Sequence, residues 1–190
     1  MVGLGFILAS CSPQRSALLR QIGYEPALIE GADIDEAPRK FELPTEYVKR
    51  MALEKARAVA AKHAGQVVLA GDTVIASGRR IVRKAYSPEE QAEVMRLLSG
   101  KAHKVLSGVC VIDANGNANV KCVETRVVMK KLSEQEIKEY VDSQEWVGCA
   151  GYKIEGRLAG FVRKIIGSYS GVVGLPLFEV KNMLNGAGVR

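Results

Sequence analysis

The run Gln66–Ala76, QVVLAGDTVIA, does most to limit what this chain can fold into. β-Branched and apolar residues crowd it, so it reads as a central strand. One carboxylate, Asp72, interrupts it directly after Gly71. A charge in a central strand is costly unless it is paired or metal-bound. Asp72 therefore either bonds to a turn inside the core or faces a cleft. Gly71 permits a bulge or a close backbone approach that would aim the carboxylate outward.

The flanking segments place that strand in a mixed α/β fold. Residues 3–9 read as a buried first strand. Ser12-Pro13 starts a helix that Gly23 stops, with Ser at the N-cap and Pro at the first helical position. Thr45 is the expected cap of a second helix, Glu46 to about His63. Arg80 to Lys84 returns from a turn at Ser77–Arg80, and Ser87-Pro88 opens a third helix ending near Ser99-Gly100. Strands Lys104–Asp113 and Ala118–Lys131 flank an Ala114-Asn115-Gly116-Asn117 turn. Ser133 with Glu136 predicts a capping box, Gly160–Ile166 a strand, and Gly174-Leu175-Pro176 the start of a last helix closed by Gly186. The order predicts a mixed sheet with helices outside it. A chain of 190 residues is long enough for such a core.

Two cations stand where apolar residues are expected. Lys55 falls in the middle of the stripe Val48, Met51, Ala52, Ala56, Val59 at about 100° per residue. It either snorkels, pairs inside the fold, or points into a cleft and meets an anion. Arg15 sits in the first turn of its helix, where the macrodipole disfavours a cation unless an anion is near. The Ser10-Cys11-Ser12 segment before it could offer hydroxyls and free N–H groups to a phosphate. Lys84 supplies a further cation, and Asp33-Ile34-Asp35-Glu36 supplies carboxylates for a hard divalent ion. Cations for phosphates with carboxylates for a metal equip a chain for phosphoryl chemistry. No GxxxxGK[ST] loop occurs. Lys101, His103 and Lys104 read as a solvated turn at a strand start.

Composition excludes several classes. The four cysteines form no CxxC pair and, with two histidines, no zinc pattern. No apolar run reaches bilayer-spanning length, so no membrane partner is expected. A reduced, cytoplasmic protein is the simplest expectation. The net charge of +6 favours anionic partners, but aromatic residues are only 6% and no RRM, KH or helix-turn-helix pattern occurs. Nucleic acid is therefore not the expected partner.

In register, these motifs resemble the Maf family of nucleotide pyrophosphatases. Leu8-Ala9-Ser10-Cys11-Ser12-Pro13-Gln14-Arg15 is similar to its L-A-S-x-S-P-x-R start. Asp33-Ile34-Asp35-Glu36, Glu54-Lys55-Ala56, Gly71-Asp72-Thr73 and the stretch from Gly167 to Leu177 resemble its later signatures. The resemblance implies one Maf-like domain over residues 1–190, with a Maf/ITPase-like α/β fold: a mixed, largely central twisted sheet flanked by helices, two lobes around a cleft. It also implies hydrolysis of a nucleoside triphosphate, a standard pyrimidine or a modified one, to monophosphate and pyrophosphate. Asp72 would be catalytic. Ser10, Ser12, Arg15, Lys55 and Lys84 would bind substrate, and Glu36 with Asp72 would hold Mg²⁺ or Mn²⁺. Homodimers and a house-cleaning role are further family-level expectations.

The chain departs from the family pattern at Arg83-Lys84-Ala85, for G-K-P, at the shortened Ala150-Gly151-Tyr152, and at Ile154-Glu155-Gly156, for I-Q-G. Specificity is expected at Gln14, Thr73 and Glu155. Thr73 resembles the thymidine/uridine type and Glu155 the 7-methylguanosine type, while Gln14 decides nothing. Glu155 either reads a base or pairs with Lys153 or Arg157. The alternative to turnover is a nucleotide-binding regulator of septum formation.

Overall fold

The computed structural model describes residues 5–190, so the start of the expected first strand lies outside the described residues. Among the described residues seven strands form one sheet: β1 (Phe6–Leu8), β2 (Leu28–Ile29), β3 (Val67–Ser77), β4 (Arg80–Val82), β5 (Ala102–Ile112), β6 (Ala118–Met129) and β7 (Val162–Ile166). Their order is β2-β1-β3-β5-β6-β7, with β4 also on β3. β1 is parallel to β2 and β3, and the other pairs are antiparallel. The mixed sheet is as expected, and β3 is its central member.

β3 meets two partners along one edge. β1 pairs with Val67–Leu69 and β4 with Ile75–Ser77. Residues 70–74 between them have no strand on that side among the described residues, and Asp72 lies in this gap. On the other edge the β5 register runs unbroken, Gly71 opposite Val109 and Asp72 opposite Gly108. The bulge allowed for at Gly71 is therefore absent. Glycine is needed there for close approach: a Cβ would come 2.9 Å from Leu175 Cδ2.

Six α-helices among the described residues cover the sheet: α1 (Pro13–Gln21), α2 (Pro44–Ala60), α3 (Pro88–Leu98), α4 (Glu134–Asp142), α5 (Tyr169–Val173) and α6 (Leu177–Gly186). α2 lays Val48, Met51, Ala52, Ala56 and Val59 on one face of the sheet. α1 and α6 close the other face over Phe6, Leu8, Leu69 and Val109. A second core joins α3 and α4 to Ile75, Val105, Val127 and Met129 at the far ends of the strands. These two cores are the two lobes. β3 and β5 run through both.

Several boundaries differ from expectation. α2 begins at Pro44, whose fixed φ suits the first helical position, and its N-cap is Leu43, which has no polar side chain to offer; Thr45 is therefore inside the helix. β4 ends at Val82, leaving Lys84 on the following loop. A 3-10 turn, Arg157–Phe161, occupies the start of the expected strand at Gly160. α5 precedes the last helix, and Gly186 is that helix's final residue. The positive φ that turns the chain comes at Gly188, 85°. The Ser133–Glu136 capping box is present, as is the hairpin turn, where Asp113 Oδ1 accepts from Asn115 N and Asn117 N.

Candidate active site

Alternation along β3 sends Asp72 toward α2 and Thr73 toward the opposite face. Lys55 on α2 answers Asp72: its Nζ donates to Asp72 Oδ1 at 2.8 Å and lies 3.0 Å from Glu36 Oε2. Lys55 and Asp72 side chains are 12% and 10% exposed and Glu36 is 54% exposed. The ammonium in the apolar stripe is thus a paired one, bridging two carboxylates. Asp72 Oδ2 takes no hydrogen bond among the described residues. Glu36 is held by its backbone, whose carbonyl accepts from the Tyr47 hydroxyl at 2.9 Å. Burial, with the charges of Asp72 and Glu36 nearby, pushes that phenol up to about 12, so it remains a donor.

Arg15 approaches from the start of α1. Ser12 caps that helix, accepting from Arg15 N at 3.5 Å. The guanidinium donates from Nε to Gly174 O and from Nη1 to Ser10 Oγ, both at 3.0 Å. Burial pulls Arg15 below its usual value, while the negative charges of Asp72 and Glu36 pull the other way. Gly174 has φ 152°, a conformation side chains rarely adopt, and its carbonyl also accepts from Thr73 Oγ1 at 3.4 Å.

These groups line a cleft of about 250 Å³ between the lobes: Ser12, Gln14, Arg15, Glu36, Asp72 and Thr73 on one side, Lys84, Lys153 and Glu155 on the other. A wider groove of about 900 Å³ continues past Asp72 and Lys84 to Arg80 and Arg83. The fold therefore gathers most of the expected site residues. Ser10 and Lys55 stand one layer behind the wall, supporting Arg15 and Asp72. Arg15, Lys84 and Lys153 form no salt bridge among the described residues, although they share a cleft. Glu155 pairs with neither Lys153 nor Arg157; Arg157 is taken by Glu145 at 3.5 Å.

Sequence reasoning missed Lys153 as a cleft cation, and the carbonyl of Gly174 as the anchor of Arg15. No residue pattern marks a carbonyl acceptor, but the glycine before Leu175-Pro176 hinted at a special turn. His103 is a correction. It is buried at 3% exposure, not in a solvated turn, because it is paired into β5 with its side chain toward the second core.

Asp72 and Glu36 suit a hard divalent cation only in part. No group of three or more possible ligands occurs among the described residues. Mg²⁺ uses one or two carboxylates and completes its shell with phosphate oxygens and water. Two convergent carboxylates facing an open cleft fit that habit.

The Maf-like protein family profile matches residues 5–187. The dTTP/UTP pyrophosphatase of Caulobacter vibrioides is 48% identical over 189 residues, covering 99% of this chain and 98% of its own. That of Sphingopyxis alaskensis is 50% identical over 184 residues, 96% of each chain. Among solved structures, a nucleoside-triphosphatase (dITP/XTP pyrophosphatase) from Mycobacterium abscessus aligns at TM-score 0.43 and 17% identity, over 68% of this chain and 76% of that one. With a profile spanning nearly the whole chain and near-half identity along its length, this chain belongs to the Maf-like protein family.

Proposed function

We propose that the chain is a nucleoside triphosphate pyrophosphatase that takes dTTP and UTP and releases pyrophosphate. The observation that carries this reading is electrostatic. Arg15, Lys84 and Lys153 face a cleft and form no salt bridge among the described residues, beside an Asp72 that keeps one oxygen free. Unpaired cations on a cleft wall call for an anion. A triphosphate is the anion that also needs an oriented water. The names of the relatives support the pyrimidine preference.

In this mechanism Lys55 fixes Asp72 through Oδ1, and Oδ2 accepts a hydrogen bond from the attacking water. As that water adds to the α-phosphorus, its proton passes to Asp72 and the bond to the bridging oxygen breaks. Arg15 and Lys84 neutralise charge on the departing pyrophosphate. Asp72 and Glu36 would hold Mg²⁺ or Mn²⁺, which when bound supplies Lewis-acid charge stabilisation at the phosphates. The free Oδ2 favours turnover over nucleotide binding alone.

The base end is read by charge. A uracil or thymine edge presents a donor, N3–H, between two carbonyl acceptors. Glu155 accepts from N3–H and Lys153 donates to a neighbouring carbonyl, so two side chains supply what one amide would. Thr73, held by Gly174 O, borders the same space.

A panel of nucleoside triphosphates, including 7-methyl-GTP, assayed for pyrophosphate with Mg²⁺ and with Mn²⁺ tests the proposal. UTP and dTTP are expected to be the best substrates. Asp72→Asn is expected to lower turnover by about 10³-fold with the fold intact, since it removes the proton acceptor. Pyrophosphate release by Asp72→Asn close to the wild-type rate would sink the assignment.

A further inference from the structure

The wall that carries Lys153 and Glu155 is a loop, residues 148–156, with no regular structure of its own beyond turns. Loops of this kind are mobile unless something fixes them. Here buried polar side chains from three elements do so. Gln91 of α3, fully buried, donates to Gly151 O at 2.7 Å. The Tyr140 hydroxyl of α4 accepts from Lys153 N at 3.2 Å. His103 of β5 bonds through Nε2 to the Tyr152 hydroxyl at 2.6 Å, the two rings meeting edge-on with centroids 5.5 Å apart.

Two of the three touch the cleft wall: the Tyr140 bond through the backbone of Lys153, and the His103–Tyr152 bond through the side chain of Tyr152. The His103–Tyr152 bond is the one made by a side chain of the wall. It is also the one that holds a buried polar cost. His103 Nδ1 has no partner among the described residues, and a histidine in the apolar second core is otherwise an expensive choice. A leucine would fill such a place without an orphaned nitrogen. The hydrogen bond to Tyr152 is what the imidazole supplies in return.

We infer that His103 is a positioning residue for substrate selection: through Tyr152 it holds the loop that presents Lys153 and Glu155 to the base. His103 itself lines neither the cleft nor the groove beyond it. Its removal should loosen base reading and leave the chemistry at Asp72 largely alone. The inference rests on the proposed pyrophosphatase reading, and its test separates the two.

The experiment compares pyrophosphate release from UTP, from GTP and from inorganic tripolyphosphate, which has no base, in wild type and in His103→Leu, His103→Gln and Tyr152→Phe. Glutamine can place its amide nitrogen near the position of Nε2, so it serves as the conservative rescue. For His103→Leu and Tyr152→Phe the expected result is a KM for UTP raised about tenfold, the cost of one buried hydrogen bond. UTP-over-GTP discrimination should fall by a similar factor, with kcat on tripolyphosphate within about twofold of wild type. His103→Gln should recover most of the discrimination, and the Leu/Phe double variant should be no worse than either single one. If His103→Leu does not fold, Tyr152→Phe, which loses a single oxygen, carries the test. Equal loss on UTP and tripolyphosphate, or unchanged discrimination in Tyr152→Phe, would overturn the positioning role. Absence of pyrophosphate from every substrate in wild type would instead overturn the pyrophosphatase reading.

Discussion

Lys55 has one ammonium and two carboxylates to serve. At 2.8 Å from Asp72 and 3.0 Å from Glu36 it is the group that lets both approach one point of the cleft. Removing it leaves two negative charges facing each other with little water on the Asp72 side, a costly arrangement. Lys55→Met, which keeps the packing of the stem, is expected to lower kcat for UTP hydrolysis by about 10²–10³-fold, the range for losing one preorganised electrostatic contact. Steady-state kinetics beside a circular-dichroism check of the fold would measure it; a Met variant within about threefold of wild type would mean that Lys55 is a packing residue. The sequence made Lys55 and Asp72 visible for one reason: each is a charge on a face that periodicity assigns to the core. Lys153 carried no such mark, since a lysine in a turn-rich segment is ordinary. His103 is hidden in the sequence by its exposed neighbours Lys101 and Lys104, although alternation along β5 puts it on the same side as buried Val105.

Elements set the distances that those residues use. α2 comes so close to the sheet that a Cβ on Gly108 would lie 2.1 Å from Val48 O and 2.5 Å from Val48 C. Gly108 is also the register partner of Asp72. One bare backbone position therefore lets the helix that carries Lys55 lie against the strand pair that carries Asp72. Gly108→Ala must push α2 away or distort β5, since backbone cannot swing aside as a side-chain tip can. The expected loss is about 3 kcal/mol, at the upper end for overpacking, read as a lower urea midpoint with unchanged slope. A shift in midpoint worth under about 0.5 kcal/mol would show that the contact is soft. A second brace works on the Glu36 side. Arg50 of α2 binds Glu42 through Nε at 2.6 Å and Nη2 at 2.7 Å, and donates to Ala37 O at 3.1 Å. Arg50→Ala is expected to free the segment 36–42 and raise KM for UTP several-fold more than it changes kcat, because Glu36 would no longer be presented at a fixed place. Most of these elements were legible, since strand composition, Ser caps and the Asn-Gly turn each have a local signal. The start of α2 was not. Thr45 looks like a cap, but Pro44 can open a helix without one.

At the scale of the molecule, the two lobes share two strands. β3 and β5, 11 residues each, contribute Leu69 and Val109 to one core and Ile75 and Val105 to the other. A lobe cannot unfold without tearing the hydrogen-bond ladder of its neighbour, so unfolding is expected to be a single transition. A proton-linked penalty in one lobe then appears in the stability of the whole. His103 supplies such a penalty. Burial drops its imidazole from 6.5 to about 4, so between those values the unfolded chain binds a proton that the folded chain refuses. Stability therefore falls as pH drops from 6.5 to 4, by on the order of 3 kcal/mol for the full shift. Glu42 extends the loss on the acid side. Its hydrogen bonds to Arg50 hold it down at about 2, so the stability it contributes above 4.5 is lost as pH falls from 4.5 toward 2. Thermal unfolding followed from pH 7 to 4 should show one transition with a falling Tm. His103→Gln, which has nothing to titrate there, should show a flatter profile over pH 6.5–4.5, while the Glu42 component stays. Parallel profiles for the two proteins would mean that His103 charges inside the fold without cost. Two separate transitions, only one of them pH-sensitive, would mean that the shared strands do not couple the lobes.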